Sequence, residues 1–286
     1  MTVYLNGEFL PESQAHVSVL DRGFIFGDGI YEVIPVYGGR LFRLNEHLSR
    51  LQNSLDAIRI TNPFNTTEWG EILTELIHRN NDGDQSLYLQ ITRGSAKRDH
   101  ALPKNSVPTV FAMSNELKPL ATTIVTEGVA AITLDDIRWL RCHIKAISLL
   151  PNILLRQEAL DQDAAEAILI RDGLATEGAA SNLFAVIDGV ITTPPKGPTL
   201  LPGITRDLVL ELAASNTLPC QEKTISLAEL QQADEIWLTS STKEILSVTQ
   251  LDGKTVANGK PGPLYQQLLT LYQDYKQTLR NQPQKH

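Results

Sequence analysis

The reading of this chain turns on Arg138-Trp139-Leu140-Arg141-Cys142-His143-Ile144-Lys145-Ala146-Ile147-Ser148-Leu149-Leu150. It is a mostly apolar run broken by one lysine. Ile144, Ile147 and Leu150 flank Lys145, so its ammonium is expected against apolar neighbours. Burial disfavours a charged amine and draws its pKa from about 10.4 toward neutrality. A neutral amine is a nucleophile and forms a Schiff base with an aldehyde. The same pattern suits a lysine that lays its stem on apolar surface and keeps its head in water. This stretch alone leaves both readings open.

Composition narrows the field. The chain has 286 residues, 42% hydrophobic and 20% charged, which is ordinary for a globular protein of one large or two smaller domains. The net charge of -8 argues against a nucleic-acid backbone as partner. Two cysteines, Cys142 and Cys220, imply neither a disulfide framework nor a metal site, and fit a reducing compartment. No leader-like N-terminus and no bilayer-length apolar run is present, so a cytoplasmic protein without a membrane partner is expected.

Upstream of the lysine, Asn6-Gly7 between Val3-Tyr4-Leu5 and Phe9-Leu10 predicts a hairpin. Gly23, Gly27 and Gly29 puncture the aromatic block Asp21 to Ile34, without the spacing of a phosphate-binding glycine loop. Tyr31 and Val33 alternate with Ile30, Glu32 and Ile34, as on a strand. Asn45 is expected to cap a helix carrying Leu48, Leu51, Leu55 and Ile58, with Arg50 off that stripe and, taken by itself, an exposed arginine. A second helix starts at Thr66 or Thr67 and stops at Asn80-Asn81-Asp82-Gly83. Leu87, Leu89 and Ile91 mark a half-buried strand. It ends in a cationic loop where Arg98 and His100, two residues apart, suit an anion pocket.

The polar linker Ser114–Leu120 predicts a domain boundary, giving domains 1–117 and 118–286. Strands are expected at Thr122–Thr126 and Val129–Leu134, and Thr176–Asn182 as a small-residue loop. Asp188-Gly189 and Asp252-Gly253 predict hairpins, and Ser226 to Glu229 has capping-box form. The helix opening near Gly203-Ile204-Thr205 offers free backbone amides to an anion. Thr239-Ser240-Ser241-Thr242 clusters hydroxyls at a strand end, and Pro263 opens a closing amphipathic helix. Hairpins without regular strand–helix alternation indicate α+β.

In this order and at these separations, the segments resemble the pyridoxal-phosphate aminotransferases of fold type IV, and within them the D-amino-acid aminotransferases. The residues that carry the resemblance are Asp21-Arg22-Gly23 to Tyr31-Glu32-Val33, Asn45-Glu46-His47 with Arg50, and Thr92-Arg93-Gly94 through Arg98 and His100. They continue with Asp136 to Lys145, Thr176-Glu177-Gly178 with Ser181-Asn182, Gly203 to Arg206, and Thr239-Ser240. The resemblance implies a two-domain fold with the active site between the domains, a homodimer, and pyridoxal 5'-phosphate as cofactor. It makes Lys145 the catalytic lysine that holds the cofactor as a Schiff base, and Glu177 the acid beside the pyridine nitrogen. Arg50, the backbone at Ile204 and Thr205, and the Ser240 and Ser241 hydroxyls would hold the phosphate. Tyr31, Arg98 and His100 would clamp the α-carboxylate of a D-amino acid, the last two reaching in from the partner subunit. The implied reaction moves an amino group between a D-amino acid (D-alanine, D-glutamate) and a 2-oxo acid (2-oxoglutarate, pyruvate), with Lys145 shuttling the Cα proton. Ser241, Ala179-Ala180 and Pro35 depart from the family pattern without touching the lysine or the clamp. Branched-chain L-aminotransferases and aminodeoxychorismate lyases share the fold. The former bind the carboxylate on the opposite side and lack the Arg98-x-His100 pair. A non-catalytic pyridoxal-phosphate-binding protein would keep Lys145 and lose the clamp.

Overall fold

The structure is a computed structural model and describes residues 1–80 and 83–281. Residue contacts divide the chain into two compact units. The first comprises Met1–Lys118, Ile144–Leu149 and the residues from Thr278 onward, and the second Pro119–His143 and Leu150–Gln277. Lys145 therefore belongs to the first unit, whereas a single division at 117/118 puts it in the second. Residues 145–147 pair with the strand Gly29–Tyr37 of the N-terminal sheet, so the segment 144–149 joins the first unit, which a linear boundary cannot express.

The first unit contains β1 (Thr2–Leu5), β2 (Glu8–Pro11), α1 (Arg22–Phe26), β3 (Gly29–Tyr37), β4 (Arg40–Leu41), α2 (Leu44–Ala57), α3 (Thr66–Asn80), β5 (Gln85–Thr92) and β6 (Thr109–Glu116). Its six strands run antiparallel in the order β2-β1-β6-β5-β3-β4. Asn6 and Gly7 take positive φ and join β1 to β2, as the Asn-Gly pair predicts. Ile30, Ile34, Leu87, Leu89 and Ile91 face a core that also takes in Leu48, Leu51 and Leu55 of α2 and Trp69, Leu73, Leu76 and Ile77 of α3. Each such side chain contributes about 1.5–3 kcal/mol by leaving water.

Helix ends differ from expectation at one place. Asn45 does not cap α2, because the helix already begins at Leu44 after Arg43, which takes a left-handed conformation with φ 50°. Asn65 caps α3 instead: its Oδ1 accepts from the Thr67 and Glu68 amides, and Glu68 Oε2 accepts from the Asn65 amide. The α3 stop falls at Asn80, and Asn81 and Asp82 lie outside the described residues. Of the three glycines in the aromatic block, Gly27 takes φ +65° and ends α1.

The second unit contains α4 (Thr122–Glu127), β7 (Val129–Asp135), α5 (Leu150–Asp161), β8 (Glu166–Arg171), β9 (Leu174–Gly178), β10 (Asn182–Ile187), β11 (Val190–Thr193), α6 (Ile204–Ser215), β12 (Cys220–Glu222), β13 (Ile225–Ser226), α7 (Leu227–Gln231), β14 (Glu235–Ser240), β15 (Glu244–Leu251) and β16 (Lys254–Thr255). The closing helix α8 (Pro263–Asn281) begins in this unit and ends in the first. The strand order is β12-β11-β10-β14-β15-β7-β8-β9-β13, with β16 on β15. Parallel neighbours (β7 with β8 and β15, β11 with β12) mix with antiparallel ones.

Two expectations fail here. Thr122–Glu127 is a helix rather than a strand: its Thr-Thr-Ile-Val-Thr run has strand propensity, but Ala121 carbonyl contacts close a helical turn. Thr176, Glu177 and Gly178 end strand β9 rather than lying in a loop, and the turn is confined to Ala179–Ser181. Asp188-Gly189 joins β10 to β11, and Ser226 and Glu229 form a reciprocal capping box on α7.

Candidate active site

In the first unit, Lys145 lies in an extended segment beside β3. The Tyr31 amide donates to the Lys145 carbonyl at 2.9 Å, and the Ile147 amide to the Gly29 carbonyl at 3.1 Å. The Lys145 amide donates to Ser54 Oγ of α2 at 3.2 Å. Ile144 and Ala146 are buried in the core, while Lys145 between them is half-buried. Its expected apolar enclosure is not found, since Leu150 is exposed and Ile147 only half-buried. An aromatic face stands there instead. Lys145 Nζ lies 4.3 Å from the Tyr31 ring centroid, and Tyr31 stacks on Tyr88 at 5.7 Å. Burial, with Tyr31 close by, pushes the Tyr88 hydroxyl up to about 12, so it serves as a donor at neutral pH. It donates to Gln90 Oε1 at 2.6 Å. The sequence reading missed Tyr88, although its alternation with Leu87 and Leu89 puts it on the outward face of β5.

Arg50 is not an exposed arginine. It is 6% exposed and grips Glu32, with Nε donating to Oε1 at 2.8 Å and Nη2 to Oε2 at 2.7 Å. His47 Nδ1 lies 2.7 Å from the same Oε2. Burial alone would raise the Glu32 carboxyl, but Arg50 and then His47 more than offset it and hold it far below the usual carboxylate range. Burial lowers the His47 pKa, so the ring is neutral, donates from Nδ1, and leaves Nε2 buried without a partner. Glu32 and His47 were missed as a pair. The signal was Glu32 itself, an acid on the strand face of Ile30 and Ile34. Glu32→Gln is expected to destabilise the first unit by about 3 kcal/mol, because it leaves Arg50 short of a counter-charge. Glu32 has a depressed native pKa, so its stabilisation is full above the unfolded value of 4.5 and is lost as pH falls below it. The melting temperature should fall more steeply from pH 7 to pH 3 in the wild type than in Glu32→Gln.

Arg98 and His100 lie in the loop after β5, both exposed, and both pack on Phe26 of α1. The Arg98 guanidinium is 5.4 Å and the His100 ring 5.6 Å from the Phe26 ring centroid. Tyr31, Arg98 and His100 thus share the first unit with Lys145 and Arg50.

In the second unit Glu177, at the end of β9, is 5% exposed. Its Oε1 accepts from Arg138 Nη1 at 2.5 Å. Its Oε2 accepts from Asn182 Nδ2 and from the Leu201 amide, each at 3.0 Å. Asp136 binds the other edge of Arg138, accepting from Nε at 2.8 Å and Nη2 at 2.9 Å. Burial pushes the Glu177 carboxyl up to about 7, against the pull of Arg138 and the Leu201 amide. Arg138, flanked by two carboxylates, stays charged. Arg138, Asp136 and Asn182 were seen in the sequence only as family landmarks, and the Arg138 contact with Glu177 bridges a separation that no local pattern marks.

Ile204 and Thr205 begin α6, capped by Gly203 with no side chain accepting from its first turn. A Cβ at Gly203 would fall 1.8 Å from Asn182 Oδ1, so only glycine lets this helix start sit beside the Glu177 cluster. Ser240 ends β14 and Ser241 follows it. Ser240 Oγ accepts from the Lys243 amide at 3.2 Å, and the buried Thr239 Oγ1 beside it has no partner. Glu177, Ile204, Thr205, Ser240 and Ser241 thus share the second unit. Among the described residues no acid, histidine or cysteine cluster suits a metal ion, and no helix is long and apolar enough to cross a membrane.

A half-buried amine beside aromatic rings, a buried acid held by arginine and amides, and a bare helix start are the parts of a pyridoxal-phosphate enzyme. Residues 29–251 match the family described as Amino-transferase class IV, and the chain belongs to that family. It is a pyridoxal-phosphate-dependent transaminase of fold type IV. Its sequence is 44% identical to the D-alanine aminotransferase of Bacillus licheniformis over 275 residues, 96% of each chain. It is 39% identical to that of Staphylococcus epidermidis over 276 residues, 96% of this chain and 98% of the relative. Among solved structures it resembles the branched-chain amino acid aminotransferase of Escherichia coli, with TM-score 0.90, 27% identity, and 96% and 93% of the two chains covered. The T.th. branched-chain enzyme with pyridoxamine 5'-phosphate gives TM-score 0.91, 28% identity, and 98% and 95%.

Proposed function

We propose that this aminotransferase exchanges the amino group of a D-amino acid, such as D-alanine or D-glutamate, with a 2-oxo acid such as 2-oxoglutarate or pyruvate. The observation that carries this reading is the Arg98 and His100 pair, packed on one phenylalanine and exposed to receive a carboxylate. Identity of 38–44% to D-alanine aminotransferases supports it against the branched-chain reading, whose solved structures match at 26–28%.

The residues present fit the cofactor. Each unit leaves a buried polar atom orphaned next to a residue assigned to the phosphate, His47 Nε2 near Arg50 and Thr239 Oγ1 before Ser240. Arg50, the Ile204 and Thr205 amides and the Ser240 and Ser241 hydroxyls would hold the phosphate, and Lys145 the aldehyde carbon. Bound, pyridoxal phosphate supplies an aldehyde that condenses with amines and a ring that takes up the electron pair of a broken Cα–H bond. Glu177, ionised beside Arg138, would hold a proton on the ring nitrogen. Tyr31, Arg98 and His100 hold the substrate carboxylate. Lys145 Nζ would be the base that takes the substrate's Cα proton and the acid that gives it back. One base works on one face, so the side on which the carboxylate is clamped sets the handedness.

A homodimer belongs to the same proposal. Phe24 and Val107 in the first unit are 73% and 83% exposed, and Leu150, Ile153 and Leu154 of α5 are more than half exposed, which suits contact between copies. Two free cysteines and the absence of a long apolar helix among the described residues accord with a cytoplasmic place. The test is steady-state transamination by the holoenzyme with 2-oxoglutarate and either D- or L-alanine. D-Glutamate formed from D-alanine is expected. L-Glutamate formed from L-alanine alone would overturn the D-specific reading.

A further inference from the structure

The loop that carries Arg98 and His100 is tied at its start by a bridge between Asp21 and Ser95 and by the Ala96 amide donating to the Leu20 carbonyl. Further along, between the two clamp residues, it is held by one buried arginine. Arg22, the first residue of α1, is 4% exposed. Its Nε donates to Asp28 Oδ2 at 2.8 Å. Its Nη1 donates to the Asp99 carbonyl at 2.6 Å and, more loosely, to the Ala101 carbonyl at 3.5 Å. Its backbone amide donates to the Gly94 carbonyl at 2.9 Å, where the loop leaves β5. Its guanidinium carbon lies 4.8 Å from the centroid of the Phe26 ring on which Arg98 and His100 pack. Asp28 is fixed in turn by Arg93, whose Nε and Nη2 donate to it at 2.8 and 2.9 Å.

The Asp99 carbonyl is the peptide oxygen between the two clamp residues. A rigid, planar fork that bonds an acid at one edge and this carbonyl at the other fixes the loop's height over Phe26. Packing on the Phe26 ring alone leaves side chains as exposed as Arg98 and His100 with freedom that each binding event must remove.

We propose that Arg22 is a positioning residue for the substrate carboxylate: by holding the Asp99 carbonyl it sets the spacing and aim of Arg98 and His100. The inference rests on the D-amino-acid reading above. Arg22 touches neither cofactor nor substrate, so its loss acts on binding more than on the chemical step. A lysine keeps the charge but cannot bond Asp28 and the Asp99 carbonyl through one planar group.

The test uses single-turnover reaction of the holoenzyme with D-alanine, read by loss of the visible band of the lysine-bound cofactor. In Arg22→Lys the apparent dissociation constant for D-alanine is expected to rise about tenfold, the size of one lost charge-assisted hydrogen bond. The limiting rate is expected to change less than about threefold, and inhibition by propionate to weaken by the same factor as D-alanine binding. The cofactor band should be unchanged. In an Arg98→Ala, His100→Ala background the Arg22→Lys effect should vanish, because the residue acts only through that pair. Asp28→Asn leaves the fork but removes its anchoring charge, and should shift the D-alanine constant the same way by a smaller factor. A constant unchanged in both variants, or an Arg22→Lys effect that persists in full without the clamp, overturns the proposal. Failure of the functional reading would show separately, as a wild-type protein that D-alanine leaves unconverted.

Discussion

Lys145→Ala should slow the half-reaction with D-alanine by about 10⁴-fold and abolish the visible band of the lysine-bound cofactor. On the proposed reading the side chain would supply both the amine that holds the aldehyde and the base for the Cα proton, so two functions would go with one atom. The fold should not follow. Ile144 and Ala146 carry the segment's core contacts, and the backbone bonds to Gly29, Tyr31 and Ser54 do not involve the lysine side chain. Only a cation over the Tyr31 ring is removed, worth about 0.5–1 kcal/mol at a partly exposed site. Stopped-flow absorbance and a melting curve on the same preparation separate the outcomes. A variant that still shows the band, or one that fails only because it no longer melts cooperatively, would refute the role given to Lys145.

Glu177→Gln should lower kcat by about 10²–10³-fold, the usual cost of losing one preorganised electrostatic partner. The amide keeps the shape and an oxygen for the Leu201 amide or Asn182, but it cannot hold a proton on the pyridine nitrogen. The position also sets a pH dependence. Glu177 titrates near 7 before the cofactor arrives, so below that pH it is neutral and offers the ring no charge. Cofactor affinity should therefore fall as pH drops below about 7 and be flatter in Glu177→Gln. Stability of the cofactor-free protein runs the other way. The native acid holds its proton above the unfolded value of 4.5, so stability falls as pH rises from there to about 7, and the substitution removes that slope. Spectrophotometric cofactor titrations and melting curves across that range check both signs.

Much of the architecture was legible because it follows short-range rules. Asn6-Gly7, Asp188-Gly189 and Asp252-Gly253 make turns whose backbone the residues themselves dictate. The Leu48, Leu51 and Leu55 stripe and the alternation in β5 fix which faces are buried. What escaped depends on partners far along the chain. Thr122–Glu127 has the composition of a strand and forms a helix. Glu177 looked like a loop residue among small neighbours and ends a strand, where Arg138, thirty-nine positions earlier, meets it. Arg50 looked exposed from its helix alone, and only Glu32 on a neighbouring strand explains its burial. Lys145 was picked out for an apolar wall that is mostly an aromatic one. Its surroundings depend on how residues 145–147 pair with β3, which the linear boundary at 117/118 obscured.

The most direct test combines the site and the handedness in one measurement. Borohydride fixes a lysine-bound cofactor irreversibly, and peptide mass mapping then reports which lysine carries it. The mass increment is expected on the peptide containing Lys145. Prior incubation with D-alanine, without a 2-oxo acid, should abolish that increment, while L-alanine should leave it in place. An increment on any other lysine, or protection by L-alanine and not by D-alanine, would contradict the account.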